Sequence, residues 1–327
     1  EPLLERGIHP TVICRGFYQA LEDALKLAKE VSVPALTDDR EAMLKIIRSC
    51  LSTKFVKRWS ELMCNLALDA VRTVCGEGEI DIKRYAKVEK IPGGAVEDCA
   101  VLNGVMLNKD VIHPSMPRRI ENPRIILLDC PVEYKKAESQ LNVELLKEAD
   151  FQRILEIEED YIKNMCESIL RFKPDLVVVE KGVSDLAQHY FSKAGVAVLR
   201  RLRKSDNNRI ARAVGATIAS RPEELVESDV GTGCGLFEVR KIGDEYFSFI
   251  TECKSPRACT ILLRGAAKDV LMEIERNLGD AMNVARNVMV EPLLVPGGGA
   301  FEMEVACRLV EKSQTYDGVM QLPYRAV

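Results

Sequence analysis

Apolar residues recur at helical spacing through the first quarter of the chain. The stretch FYQALEDALKLAKEV (17–31) carries the pattern, and it repeats from Asp38 to Val74 in two helices. Asp38 and Asp39 suit the N-cap of EAMLKIIRSCL, and Ser52 or Thr53 that of the next helix. From about residue 76 the pattern breaks. Gly76, Gly78, Gly93 and Gly94 punctuate short β-rich pieces, VEKI and AVLNGVML, and the proline-bearing HPSMPRRIENP reads as a loop.

The middle of the chain holds uninterrupted apolar runs: RIILLDC (124–130), DLVVVE (175–180), VAVLRRL (196–202) and ATIAS (216–220). Helical patterns separate them, in ADFQRILEIEEDYIKNMCESILRF, SDLAQHYFSKAG and DNNRIARAVGA. Strands buried on both faces lack polar alternation, so the alternation of run and helix predicts an α/β domain with a substantially parallel sheet. GLFEVRKIGDEYFSFITECK reads as a hairpin turning at Gly243-Asp244, and ACTILLRGA as a further strand. Helical texture then returns from Ala266 to about Val290, before PGGGAFEMEVACRLVEK. Helical, α/β, helical again predicts one domain inserted into another, α/β in class and α+β overall.

Composition narrows the reading. The 327 residues are 47% hydrophobic, which places them among folded rather than disordered chains and predicts two or three domains. With 46 basic against 50 acidic residues, the net charge of −4 argues against nucleic acid or an anionic membrane as partner. No apolar run reaches the roughly 20 residues needed to span a bilayer. The 11 cysteines are odd in number and scattered through apolar segments, which fits a reducing, cytoplasmic setting. Cys253 and Cys259 come nearest to a metal spacing, or to a small disulfide loop, but with no second pair and no neighbouring His they predict no metal site. EPLLERGIHP has neither an initiator Met nor a basic leader, and is expected to begin a fragment.

One segment concentrates candidate chemistry. Val270, Leu271, Ile274, Leu278, Met282, Ala285 and Val288 form an apolar stripe, and Asp280 points away from it. A lone helical carboxylate is ordinarily a solvated one. Asp280 stands out because Gly297-Gly298-Gly299 follows before another helix, where bare amides can approach a phosphate or a ribose. A plain tight turn needs the same freedom, and neither a Walker loop nor a dinucleotide fingerprint is present.

VEKIPGG, GVMLNKDVIHPSMP, RIILLDCPVEYKKAE, DLAQHY, DNNRIARAVGA, DVGTGCGLFE, ACTILLRGA, ERNLGDAMNVARN and VPGGGAFEMEVA, in this order, resemble the group II chaperonins, the eukaryotic cytosolic members most of all. The resemblance runs over almost the whole chain. It implies an equatorial stub (1–10), a first intermediate segment (11–100), an apical substrate-binding domain (101–265), a second intermediate segment (266–296) and the start of a second equatorial part (297–327). Asp280 matches the family's carboxylate that orients the attacking water in ATP hydrolysis, and Gly298 and Gly299 match positions that approach the nucleotide. The family's GDGTT phosphate loop would lie upstream of Glu1, so ATP and Mg2+ would be held largely outside this chain, which is not expected to hydrolyse ATP alone.

For the apical domain, the resemblance makes Ser184–Ala194 the helix that holds unfolded clients such as cytoskeletal proteins, through Gln188, His189, Tyr190, Ser192 and Lys193. An ordinary amphipathic surface helix is the alternative. Pro131 to Lys136 would be a weaker contact loop, and 138–172 a built-in lid protrusion, unless its acidic helix packs back on its own sheet. The basic run Arg200 to Lys204 suits acidic client segments, a neighbouring subunit or bare solvent equally well. Homologous subunits in a hetero-oligomeric double ring are the implied partners. Two functions stay open: a subunit of an ATP-driven folding machine, and a nucleotide-independent binding module. A metabolic α/β enzyme is disfavoured, because no strand end pairs a nucleophile with an acid or base.

Overall fold

Four short apolar runs become the strands of one parallel sheet. The computed structural model describes residues 2–76, 80–134 and 148–327. Within it Ala197–Leu199, Leu176–Val179, Ile125–Leu128 and Ile218–Ala219 lie side by side in that order, every neighbouring pair parallel. The strands IILL, LVVV and AVL are buried at every position, which is why their sequences do not alternate. Helices Glu148–Leu170, Asp185–Lys193 and Lys204–Val214 provide the connections.

Helix Glu148–Leu170 packs in part on the sheet it leaves. Its Ile162, Met165, Cys166 and Ile169 are buried in the core shared with the parallel sheet, so this stretch does serve the sheet it leaves. Ile157, one turn earlier than Tyr161, is exposed. Residues 138–147 of the expected lid, and Lys135 and Lys136 of the expected contact loop, lie outside the described residues.

The hairpin Leu236–Ile242 and Glu245–Thr251 turns at Gly243-Asp244, with Ile242 opposite Glu245. It forms the middle of a four-stranded antiparallel sheet, flanked by Val105–Leu107 and Arg119–Glu121. Arg119–Glu121 falls within the stretch expected to be a loop. Three residues have no period to read, and pairing with Leu236, Phe237 and Glu238 makes them an edge strand. AVLNGVML likewise divides at Asn103-Gly104: Ala100–Leu102 joins a separate sheet, antiparallel to Cys259–Gly265, whose other neighbour, Ala86–Pro92, is parallel.

Helix starts follow local chemistry only where a side chain reaches the backbone. Asp39 Oδ1 accepts from Glu41 N–H over 2.9 Å and opens Arg40–Leu51. Ser52 and Thr53 do not open the following helix. A 3₁₀ turn, Phe55–Trp59, intervenes, and Ser60–Val74 begins with no side-chain cap. The first long helix starts seven residues earlier than the apolar pattern indicates, at Pro10, where proline suits the first position and His9 accepts from Thr11 N–H.

The chain divides into two units: Ile46–Arg286, and an outer one made of Glu1–Lys45 with Asn287–Val327. In the outer unit, helix Pro10–Val31 packs with Ala300–Ser313 and Gln321–Arg325 around Ala20, Leu309 and Tyr324. Val33–Pro34 pairs antiparallel with Leu293–Leu294. Asp23 is buried at 2% exposure, accepting from Lys312 Nζ at 2.7 Å and from the hydroxyls of Tyr316 and Tyr324 at 3.0 Å each. Burial pushes its carboxyl up, but Lys312, Tyr324 and Tyr316 outweigh burial and hold it at about 2.

Candidate functional site

Asp280 stands on helix Lys268–Val290, whose Leu271, Ile274, Leu278, Ala281, Met282, Ala285 and Val288 are buried. The apolar stripe holds the helix against the protein and turns the opposite face outward, leaving the Asp280 side chain 51% exposed. Its Oδ2 accepts from Lys54 Nζ, which leads into the 3₁₀ turn and is itself 26% exposed. Lys54 escaped the sequence reading for a plain reason: the two residues are 226 positions apart, and no spacing rule connects them.

The polar face continues with alternating charge. Glu273 Oε1 accepts from Arg276 Nη2 at 2.8 Å and from Asn277 Nδ2 at 3.2 Å. Arg276 chiefly, with Asn277 and Lys54 adding to it, holds the Glu273 carboxyl below its usual range despite an opposing desolvation effect. Glu273 and, secondarily, Asp280 push the Arg276 guanidinium up. A half-exposed carboxylate anchored by one lysine is equipped to accept a hydrogen from water or to accompany a bound cation.

Gly298 and Gly299 belong to the outer unit. Both take positive φ, 72° and 82°, and Gly299 is the N-cap of Ala300–Ser313. Nothing lies within 4 Å of where a Cβ would stand on Gly297, Gly298 or Gly299, so the loop's backbone is open to an approaching group. The positive φ values require glycine at the last two positions, and the open space is what a phosphate or ribose would use. The fit to a nucleotide is therefore an open backbone followed by a helix N-terminus. Among the described residues, no group of three or more His, Cys, Asp or Glu is placed to hold a metal ion.

The helix Asp185–Lys193 is capped by Ser184, whose Oγ accepts from Ala187 N–H at 3.2 Å, and it buries Ala187 and Phe191. The five expected contact residues divide. His189 and Lys193 are exposed, on one ridge with Asp185. Gln188 is half-buried, donating to Asp185 Oδ1 at 2.9 Å. Tyr190 packs against the core, and Ser192 Oγ lies 2.5 Å from Ser115 Oγ. Arg200, Arg201, Arg203 and Lys204 of the basic run are exposed, with Leu202 buried between them.

A buried ionic group also escaped the sequence reading. Asp206 pairs with Arg209 and, at 3.1 Å, with Lys87, and Lys87 also meets Glu89. Arg209 Nη1 donates to Arg84 O at 3.4 Å, and Arg212 stacks 3.8 Å from the Tyr85 ring centroid. These contacts tie Lys204–Val214 to the segment around Ala86–Pro92. Asp206-Asn207-Asn208-Arg209 reads as an ordinary polar helix start until that strand is seen beside it.

Among curated proteins, the chain is 63% identical to the T-complex protein 1 subunit gamma of Schizosaccharomyces pombe and 62% to that of Xenopus laevis, over 331 aligned residues each. Each alignment takes in 100% of this chain and 63% and 60% of the respective relative, so the chain spans about three fifths of their length. Among solved structures, the open-state monomer of a group II chaperonin from Methanococcoides burtonii superposes with a TM-score of 0.77 at 30% identity. The superposition covers 99% of this chain and 75% of that one. Matched along residues 1–327, the chain belongs to the TCP-1/cpn60 chaperonin family.

Proposed function

We propose that this chain is part of a cytoplasmic, ATP-driven chaperonin subunit that binds unfolded proteins and helps fold them inside a closed ring built with homologous subunits. The observation that carries the reading is the match to T-complex protein 1 subunit gamma along the whole chain. In this reading 101–265 is the apical, client-binding domain, 11–100 and 266–296 are the two intermediate segments, and 1–10 and 297–327 belong to an equatorial domain. Client contact falls to the exposed ridge of Asp185–Lys193, with His189 and Lys193 foremost and Gln188 beside them.

Asp280 then orients an attacking water by accepting one of its hydrogens, while Lys54 keeps the carboxylate in place. Gly298 and Gly299 present open backbone to the nucleotide. ATP supplies the phosphoryl group whose transfer to water drives ring closure. Mg2+, when bound with the nucleotide, would be held mainly by the phosphates and would neutralise their charge. A long helix suits Asp280, because a carboxylate on a swinging element reaches its water only in one arrangement, which couples hydrolysis to movement.

Asp280→Ala in the full-length subunit within an assembled ring tests the assignment. Nucleotide binding is expected to persist while that subunit's hydrolysis falls by about 100-fold or more. Unchanged turnover would remove Asp280 from the mechanism.

A further inference from the structure

A glycine loop presses onto the end of a helix in the inner unit. Lys204–Val214 stops at Gly215, which takes the left-handed φ of 71°. The chain returns across that end at Gly231-Thr232-Gly233, where a Cβ on Gly233 would stand 2.7 Å from Val214 O and one on Gly231 2.5 Å from Val214 Cγ2. Only bare backbone comes this close. Gly233 N–H donates to Val214 O at 3.0 Å, and Lys254 N–H donates to Gly233 O at 2.9 Å, which draws the segment from Lys254 to Arg257 alongside.

A cavity of about 540 Å³ opens at this junction, lined among others by Arg212, Thr232, Lys254, Ser255 and Arg257. Three of these carry positive charge, two carry hydroxyls, and no carboxylate lines the cavity. They arrive from three segments: the last turn of Lys204–Val214, the glycine loop, and the approach to Cys259–Gly265. Arg212 is the most constrained. Its guanidinium lies 3.8 Å from the Tyr85 ring centroid, which covers one face and leaves the in-plane N–H groups to donate. A Cβ on Gly76 would stand 3.9 Å both from Arg212 Nη2 and from Arg257 Cδ, so the two arginines converge on one point.

Cations belong at a helix C-terminus, where carbonyls would otherwise be left over. Here those carbonyls are already used: Ala211 O accepts from Ala216 N–H at 3.0 Å, and Val214 O accepts from Gly233 N–H. Among the described residues no ion pair joins Arg212, Lys254 or Arg257 to an acid. The three cations therefore stand together with their donors turned to an anion that the chain itself does not supply.

We propose that this cavity is a binding site for a small diphosphate-bearing ligand, either free pyrophosphate or the diphosphate of a nucleotide. Tetrahedral phosphate oxygens accept from several directions at once, as donors arriving from three segments require; a planar carboxylate matches a single arginine fork. Two linked phosphates carry the charge that three cations call for, and the Thr232 and Ser255 hydroxyls donate to the remaining oxygens. The bound anion cross-links the end of Lys204–Val214 to the approach to Cys259–Gly265, and so stabilises the folded chain.

Isothermal titration of the folded 327-residue chain with sodium pyrophosphate, at constant ionic strength, tests the site. Saturable binding at one site per chain is expected, with a rise in Tm. Lys254→Ala and Arg257→Ala, both at exposed positions, should each weaken binding about tenfold with circular dichroism unchanged. Arg212→Lys keeps the charge but loses the planar fork and should also weaken it. Arg200→Ala, on the separate exposed basic run, should leave it unchanged. ADP separates the two sources: equal affinity makes the diphosphate alone the ligand, and tighter binding with the same dependence on Arg257 makes it a nucleoside diphosphate. No saturable binding by the wild-type chain, an affinity that Lys254→Ala and Arg257→Ala leave intact, or citrate bound as tightly as pyrophosphate overturns the proposal.

Discussion

The unit Ile46–Arg286 and the outer unit, Glu1–Lys45 with Asn287–Val327, draw on the same residue types and bury them differently. The first encloses a continuous core in which the strands of the parallel sheet are covered on both faces. Its exposed large apolar residues, among those described, are dispersed over separate elements: Phe55, Tyr134, Ile157, Val226, Tyr246 and Met272. The outer unit gathers Phe17, Tyr18, Leu21 and Leu25 on one exposed side of a single helix and shows Met303 and Leu322 as well. Dispersed apolar residues are ordinary surface, whereas a helix carrying four of them in two turns presents a face for further protein. Both units bury a core, but among the described residues only the outer one lines up exposed apolar side chains along one helix.

The sharpest way to break this comparison is to empty the inner core. Phe237, on the hairpin strand Leu236–Ile242, is fully buried, and Phe237→Ala should cost about 3–5 kcal/mol, read as a lower denaturant midpoint. A loss below about 1 kcal/mol would show that this core is not closed.

Next in size is the buried carboxylate of the outer unit. Asp23→Ala strands Lys312 and two tyrosine hydroxyls and should cost about 3 kcal/mol. Its acid dependence has a definite sign. The folded-state value, about 2, lies below the ordinary 3.8, so Asp23 adds stability above pH 3.8 and loses it as the pH falls toward 2. Denaturant melts of wild type and Asp23→Ala should therefore converge over that interval; parallel curves would show that the carboxylate contributes nothing.

The smallest effect falls on the open face. Tyr18→Ser with Leu21→Ser should change the stability of this chain by no more than about 0.5 kcal/mol, yet weaken assembly of the full-length subunit on size-exclusion chromatography. A large loss in this chain alone would mean that the face is already packed, and the contrast between the units would fail.

The parallel sheet was legible because burial on both faces leaves an unbroken apolar run, as in Ile125–Leu128 and Leu176–Val179. The hairpin at Gly243-Asp244 was legible because its turn and its alternation are both local. Arg119–Glu121 was not, since a three-residue edge strand exists only through its partner. At the candidate site, the stripe on Lys268–Val290 revealed which way Asp280 faces, and the run of glycines revealed an open loop before a helix. Lys54 beside Asp280 and Tyr190 turned toward the core both lay beyond reach.

By itself, then, the sequence determined the parallel strands, the hairpin, the main helices and the family to which they belong, because periodicity, turn chemistry and motif order are properties of neighbouring residues. Tertiary structure alone decided which carboxylate meets which lysine and which apolar face is left open. Those pairings join positions far apart in the chain, and only the packing of complete elements brings them within the few ångströms over which hydrogen bonds and ion pairs act.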